Sequence, residues 1–292
     1  MRVNKLLLVT LIFTVLVASL SIVANMPSST PYSPFNNGDK GYSEVLSILN
    51  NAILTRDLGN IEPGSTVIVP VLREINESEY KSLVEILDKG STLVFLDENG
   101  FVNGFLEYIG LKARIMHVKV LDEVSKVKSR EYPLLTLRIN GENYEVVAHE
   151  PSYIAINDFD NLIAYGNTSN YAYADVDGNK YYSIGEEMKS YTIIALFRIK
   201  EGSLWLISDL DLFTNNVVEL GDNTKLLKQI SESNKTFFVL NYVDLNSLDE
   251  AKFWYISALS THILGNTLVN GLLVYILLLT VTVIIKYAEE GI

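Results

Sequence analysis

The densest group of side chains able to do chemistry is Ser208-Asp209-Leu210-Asp211-Leu212-Phe213-Thr214-Asn215-Asn216, with Gly221-Asp222-Asn223 shortly after it. Two carboxylates beside a threonine and two asparagines can hold a cation or orient hydroxyl groups. The same residue types also fix turns, and Asp222 or Asn223 stands where a helix cap is wanted. Asp209, Asp211, Thr214, Asn215, Asn216, Asp222 and Asn223 therefore read either as a ligand-binding loop or as turn and cap. A second acidic stretch, Asp175-Val-Asp177-Gly-Asn179 with Glu186 in twelfth place, approaches a calcium loop. The EF-hand pattern wants its glycine sixth, whereas Gly178 is fourth, so a hairpin suits these residues better. His149-Glu150 lacks the second histidine of a zincin helix, and His117 and His262 are remote in sequence. There is no G-x-S-x-G, P-loop, G-x-G-x-x-G or cysteine, so no nucleophile, metal set or phosphate loop stands out. The expectation is no catalytic residue, no metal and no cofactor.

The elements that must carry the Asp209 loop follow from hydrophobic pattern. Residues 66–71 (TVIVPV) and 92–96 (TLVFL) are continuous apolar runs, the mark of strands buried on both faces. Between them Asn76 and Glu79 form a capping box, and Tyr80, Leu83, Val84 and Leu87 keep helical spacing up to Gly90. A short helix over 101–109 follows. This strand–helix alternation predicts parallel strands. Asn140-Gly141 and Asp177-Gly178 predict hairpins within an antiparallel, tyrosine-rich part at 113–185. Strands at 191–198 and 204–208, a helix at 223–230 and a strand at 236–240 return to the first pattern. Asp209 then lies just past a strand's carboxyl end, where open α/β sheets bind ligands. The expected fold class is α/β: a Rossmann-like or flavodoxin-like three-layer domain with a mostly parallel sheet and an antiparallel β insertion, flanked by two transmembrane helices.

The flanks rest on two uncharged runs, residues 6–24 and 263–285. At helical rise the first, of 19 residues, spans roughly 28 Å, close to the ~30 Å hydrocarbon thickness. A cleaved signal peptide is the alternative for this run, although no clean A-x-A site follows it. Arg2 and Lys5 precede it and Lys286 closes the second, which puts both termini in the cytoplasm. The expected layout is an anchor at 1–25, an extended linker at 26–41, an extracytoplasmic domain at 42–246, and a juxtamembrane and membrane helix at 247–292. Sequons at Asn76, Asn167 and Asn234 suit a glycosylated outer surface. The formal net charge of −12 argues against a nucleic-acid partner, because phosphate would be repelled. The bilayer itself is the one partner expected from composition.

Residues 203–223 (SLWLISDLDLFTNNVVELGDN) resemble the hallmark of the family called domain of unknown function 4350: a hydrophobic strand, S-D-x-x-x-F-T-N, then D-N opening a helix. Asn36-Asn37-Gly38 and Gly41-Tyr42-Ser43-Glu44 resemble its opening block, and the two-anchor layout matches. The tyrosine-rich residues 113–185 depart from the short family core. The resemblance implies a fold similar to class I glutamine amidotransferases without the catalytic cysteine. It also implies partners among membrane proteins of a MoxR-type ATPase system. The function expected is a non-catalytic membrane-anchored interaction module, with a small-ligand or glycan sensor using the Asp209–Asn216 loop as the alternative.

Overall fold

The computed structural model describes residues 12, 14, 15, 19, 22, 23, 25–50, 52–232 and 235–258. The run at 263–285 and Asn234 lie outside these residues, and the run at 6–24 lies largely outside them. Among the described residues, no helix is long and apolar enough to cross a membrane.

The chain forms α1 (Ser43–Ile48), β1 (Ile53–Thr55), β2 (Thr66–Pro70), α2 (Glu77–Asp88), β3 (Thr92–Leu96) and α3 (Asn103–Tyr108). Seven strands come next: β4 (Ala113–Met116), β5 (Lys119–Asp122), β6 (Leu134–Ile139), β7 (Glu142–Val147), β8 (Tyr153–Ile156), β9 (Leu162–Asn167) and β10 (Ala172–Asp175). Then follow β11 (Thr192–Ile199), β12 (Gly202–Ile207), a 3-10 turn (Asp211–Phe213), α4 (Asn223–Ile230), β13 (Thr236–Val239) and α5 (Ser247–Ala258).

The fold is mixed α/β with a large central sheet and few helices. Nine strands pair in the order β1-β13-β2-β3-β12-β11-β9-β6-β7. The first five run parallel, and each later pairing is antiparallel. Since antiparallel neighbours alternate, β9 and β7 point the same way as those five, so the sheet is mostly parallel. Two small antiparallel pairs, β10 with β5 and β4 with β8, complete the strands.

β2 is buried at every position, and Pro70 ends it, where its missing N–H costs no ladder bond. Alternate side chains leave opposite faces. Val67, Val69, Leu93, Phe95, Leu204 and Leu206 share a core with Leu83, Ile86 and Leu87 of α2 and Phe105 of α3. Each such residue contributes about 1.5–3 kcal/mol by burial. On the other face Tyr42 meets Phe238 edge-on at 5.6 Å. The capping box of α2 is present, with the Asn76 backbone N–H donating to Glu79 Oε2.

The hairpin at Asn140-Gly141 joins β6 to β7, and both turn residues are left-handed (φ 51° and 86°), as a two-residue primed turn requires. The hairpin expected at Asp177-Gly178 does not form. β10 pairs with β5, and its return partner is Met188 rather than residues 180–183. Asp177 and Glu186 accept the backbone N–H groups of residues 176, 179 and 183, curling the intervening chain into a wide loop.

The chain divides into two compact units, Ser29–Asp244 and a second made of Met1–Ser28 with Leu245–Ile292. In the second unit, Asn246 Oδ1 accepts from Asp249 N at 2.9 Å near the start of α5, and Ser28 Oγ donates to Asp249 Oδ2 at 2.7 Å. Residues 29–41 differ from the expected extended linker. They form turns within the larger unit, with Ser33 and Asn36 buried, Tyr32 N donating to Lys40 O and Tyr42 N to Ser33 O. Prolines among serines say only that the segment is not helical; Ser33 and Asn36 bond within it, and the carbonyls of Asn36 and Gly38 accept from Asn215.

Candidate functional site

β12 delivers Asp209 to the carboxyl edge of the sheet, two residues past Ile207, beside Asp97, which likewise follows β3. Asp97 is fully buried; its Oδ1 accepts from Asn99 N (2.8 Å) and Gly100 N (3.0 Å), and its Oδ2 from Val102 N (2.8 Å). Burial pushes its carboxyl up to about 6 in spite of these donors.

Asp209 is also fully buried. It accepts from His149 N at 2.8 Å and from Asp211 N at 2.7 Å. Burial, reinforced by the charge of Asp211, raises its carboxyl well above the usual range. Asp211 Oδ2 lies 2.7 Å from His149 Nδ1. An ionised carboxylate only accepts, so Nδ1 carries the proton in this pair. Burial opposes ionisation of Asp211, but the His149 hydrogen bond and the charge of Lys40 prevail and hold it below the usual range. Tyr132 stacks on the His149 ring at 4.3 Å. Asp211 Oδ1 is buried with no hydrogen-bond partner. Tyr32 is half-buried at this edge, and burial with the charge of Asp211 raises its phenol.

The remaining candidates point elsewhere, toward the chain itself. Thr214 Oγ1 lies 2.7 Å from Asp211 O and 2.8 Å from Asn216 Oδ1. Asn215 Nδ2 donates to Asn36 O, Gly38 O and Ser43 Oγ, while its Oδ1 accepts from Glu44 N. Asp222 Oδ2 accepts from Glu145 N at 2.9 Å. Fully buried Asn223 accepts from Val147 N at 2.8 Å and donates to Val147 O (2.8 Å), Leu212 O (3.1 Å) and Val217 O (3.1 Å). The structure thus joins Asp209 and Asp211 in one cluster, ties Asn215 to the α1 entry, and sets Asp222 and Asn223 against β7.

Sequence reasoning missed His149 and Tyr32. His149 lies 60 residues from Asp209 along the chain, and its spacing carries no motif. The available signal was indirect: a carboxylate beyond a wholly apolar strand must find donors. Of the sequons, Asn76 is exposed at the start of α2, whereas Asn167 ends β9 with its Oδ1 buried. A groove of about 620 Å³ is lined by Val84, Leu87, Tyr108, Arg198 and Lys200, near the amino end of β12 and away from the Asp209 loop.

No protein-family model matches the chain, and no curated protein matches it. Among solved structures it is similar to the mmIFT52 N-terminal domain, at 13% identity and TM-score 0.43, over 57% of this chain and 78% of that one. It is also similar to a β-galactosidase from Bacillus circulans sp. alkalophilus, at 12% identity and TM-score 0.32, over 58% of this chain and 23% of that one. A β-galactosidase from Halorubrum lacusprofundi gives 11% identity and TM-score 0.34, over 66% and 27%. The matched part thus spans about a quarter of each galactosidase. With TM-scores under 0.5, these likenesses bear on neither fold nor function here.

Proposed function

We propose that this chain is a non-catalytic, membrane-anchored extracytoplasmic interaction module on a Rossmann-like three-layer scaffold, serving in a MoxR-type ATPase-associated envelope assembly. One observation carries the first part. At the sheet edge where α/β proteins place their ligands, the side chains of Asp209, Thr214, Asn215, Asp222 and Asn223 are already bonded to their own chain. Such a loop braces the sheet edge. His149 and Asp211 make the pair that orients an imidazole in hydrolytic triads. The Ser152 and Ser208 hydroxyls of the same edge, however, donate to backbone carbonyls. Two hydrocarbon-length apolar runs support the anchoring, and the resemblance of residues 203–223 to domain of unknown function 4350 supports the assembly.

Two experiments test this reading. Protease added to intact cells should digest the domain; protection until lysis would invert the topology and end the proposal. Purification from native membranes in mild detergent should bring down an AAA ATPase or its membrane partners, and its absence would remove the assembly. The sensor reading draws on the unpartnered Asp211 Oδ1. It requires ligand-dependent thermal stabilisation, across a panel of glycans and small polar molecules, that Asp209→Ala with Asn215→Ala abolishes.

A further inference from the structure

The loop between β10 and Met188 holds a group of acids that the Asp209 edge does not use. Carboxylate oxygens of Asp175, Asp177 and Glu186 all lie within 4.8 Å of one another. Like charges this close repel unless something positive stands among them. Among the described residues, no lysine or arginine forms an ion pair with any of the three. Lys180, inside the loop, turns its ammonium to Glu150, and Arg130 turns to Glu123.

The decisive atom is Asp175 Oδ1. Asp175 is 8% exposed, and its Oδ2 accepts from Lys180 N at 3.1 Å, but Oδ1 is buried without any partner. A carboxylate oxygen withdrawn from water needs a donor or a cation, and the residue that carries this one is a member of the trio. The other two acids are held in place by the loop. Asp177 Oδ2 accepts from Ser183 Oγ and Asn179 Nδ2, both at 2.8 Å. Glu186 accepts from Val176 N at 2.9 Å and Ser183 N at 2.8 Å.

We propose that residues 175–186 form a calcium-binding loop, with Asp175, Asp177 and Glu186 as its charged ligands. The spacing agrees. Asp175, Asp177, Asn179, Tyr181, Ser183 and Glu186 take places one, three, five, seven, nine and twelve, where a calcium loop draws side-chain oxygens and, at seven, a backbone carbonyl. The sixth place, which glycine holds in EF-hands because the chain turns sharply there, is Lys180, and it adopts φ 63°. The misplaced glycine that spoke against a calcium loop in the sequence thus leaves the turn intact. A strand precedes the loop in place of an EF-hand helix. All donors are hard oxygens, with no nitrogen or sulfur, which favours calcium over zinc or copper. Magnesium wants a near-ideal octahedron at short distances and keeps several of its waters, whereas calcium takes six to eight oxygens in flexible geometry, as the donors of this loop offer.

The test uses the full-length protein in detergent. Terbium bound in the loop should luminesce on tyrosine excitation, since Tyr181 lies within it, and calcium should displace the signal with a dissociation constant on the order of 10⁻⁴–10⁻³ M. Asp175→Asn and Glu186→Gln should each weaken calcium at least about tenfold, the loss of one charged ligand. Lys180→Gly should bind at least as tightly as the parent, because glycine accepts the left-handed turn freely. Circular dichroism checks the fold of each variant, and exposed Asp177→Asn replaces Asp175→Asn if that variant fails to fold. The proposal is overturned by a terbium signal that survives in Asp175→Asn and Glu186→Gln, by its absence in the parent, by equal displacement with magnesium, or by loss of binding in Lys180→Gly.

Discussion

Asn223 shows how a single side chain can look like a ligand and act as a brace. Its amide accepts one N–H and donates to three carbonyls, all of them backbone groups of residues 147, 212 and 217. Asn223→Ala leaves those groups unpaired in a fully buried place, and should lower stability by about 2–4 kcal/mol, measured by urea denaturation. Asn223→Asp should cost more, because a carboxylate would face the three carbonyls. If both variants melt like the parent, Asn223 is no brace and the ligand reading of its loop revives. Asp97 sets a pH dependence of its own. Its native pKa of about 6 lies above the unfolded value, so the native state holds the proton more tightly. The resulting penalty is absent below about pH 4, grows through the window from about 4 to 6, and is complete above it, on the order of 2–3 kcal/mol. Stability should therefore rise as pH falls from 7 to 5, and Asp97→Asn should flatten part of that slope. Asp211, held low, does not act in this window: its contribution is lost only below the usual carboxylate range.

At the scale of elements, close approach is the sharpest constraint. Gly202 opens β12 directly beneath the end of α2, where an added Cβ would stand 2.6 Å from both Leu87 O and Ser91 O. Backbone atoms cannot yield as a flexible side chain can, so Gly202→Ala should cost about 1–3 kcal/mol by overpacking, read as a lower denaturation midpoint at unchanged m-value. The strands and helices that carry this packing were legible because each is specified locally. The TVIVP and TLVFL runs, the Asn76–Glu79 capping box and the Asn140-Gly141 turn act within a dozen residues of themselves. The loop at 175–186 was misread because Asp177-Gly178 is equally a hairpin signal, and only the partner strand decides between them. That partner is β5, some fifty residues earlier.

For the larger unit as a whole, what escaped the sequence is long-range polar pairing. Residues 29–41 carry no periodic pattern, yet Asn36 and Gly38 meet Asn215 across 179 and 177 positions. Hydropathy cannot anticipate such a contact, because it is made by side-chain amides and backbone carbonyls. A fragment spanning 29–244 should accordingly unfold in one cooperative step, whereas one starting at 42 should melt at a lower temperature or lose its near-ultraviolet signal; equal melting would make the segment a tether after all. The candidate site was half legible: Asp209 and Asp211 were placed correctly beyond β12, but their partners His149 and Tyr32 were not. One last feature bears on how copies of the protein behave when concentrated. β7 is the outermost strand on its side of the sheet, and the groups it would offer to a newcomer, at Glu145 and Val147, are taken by Asp222 and Asn223. At the opposite rim β1 is only three residues long. Along Glu145–Val147 a colliding molecule therefore finds the ladder already occupied, which guards that stretch of the rim against the edge-to-edge growth that begins fibrillar aggregation.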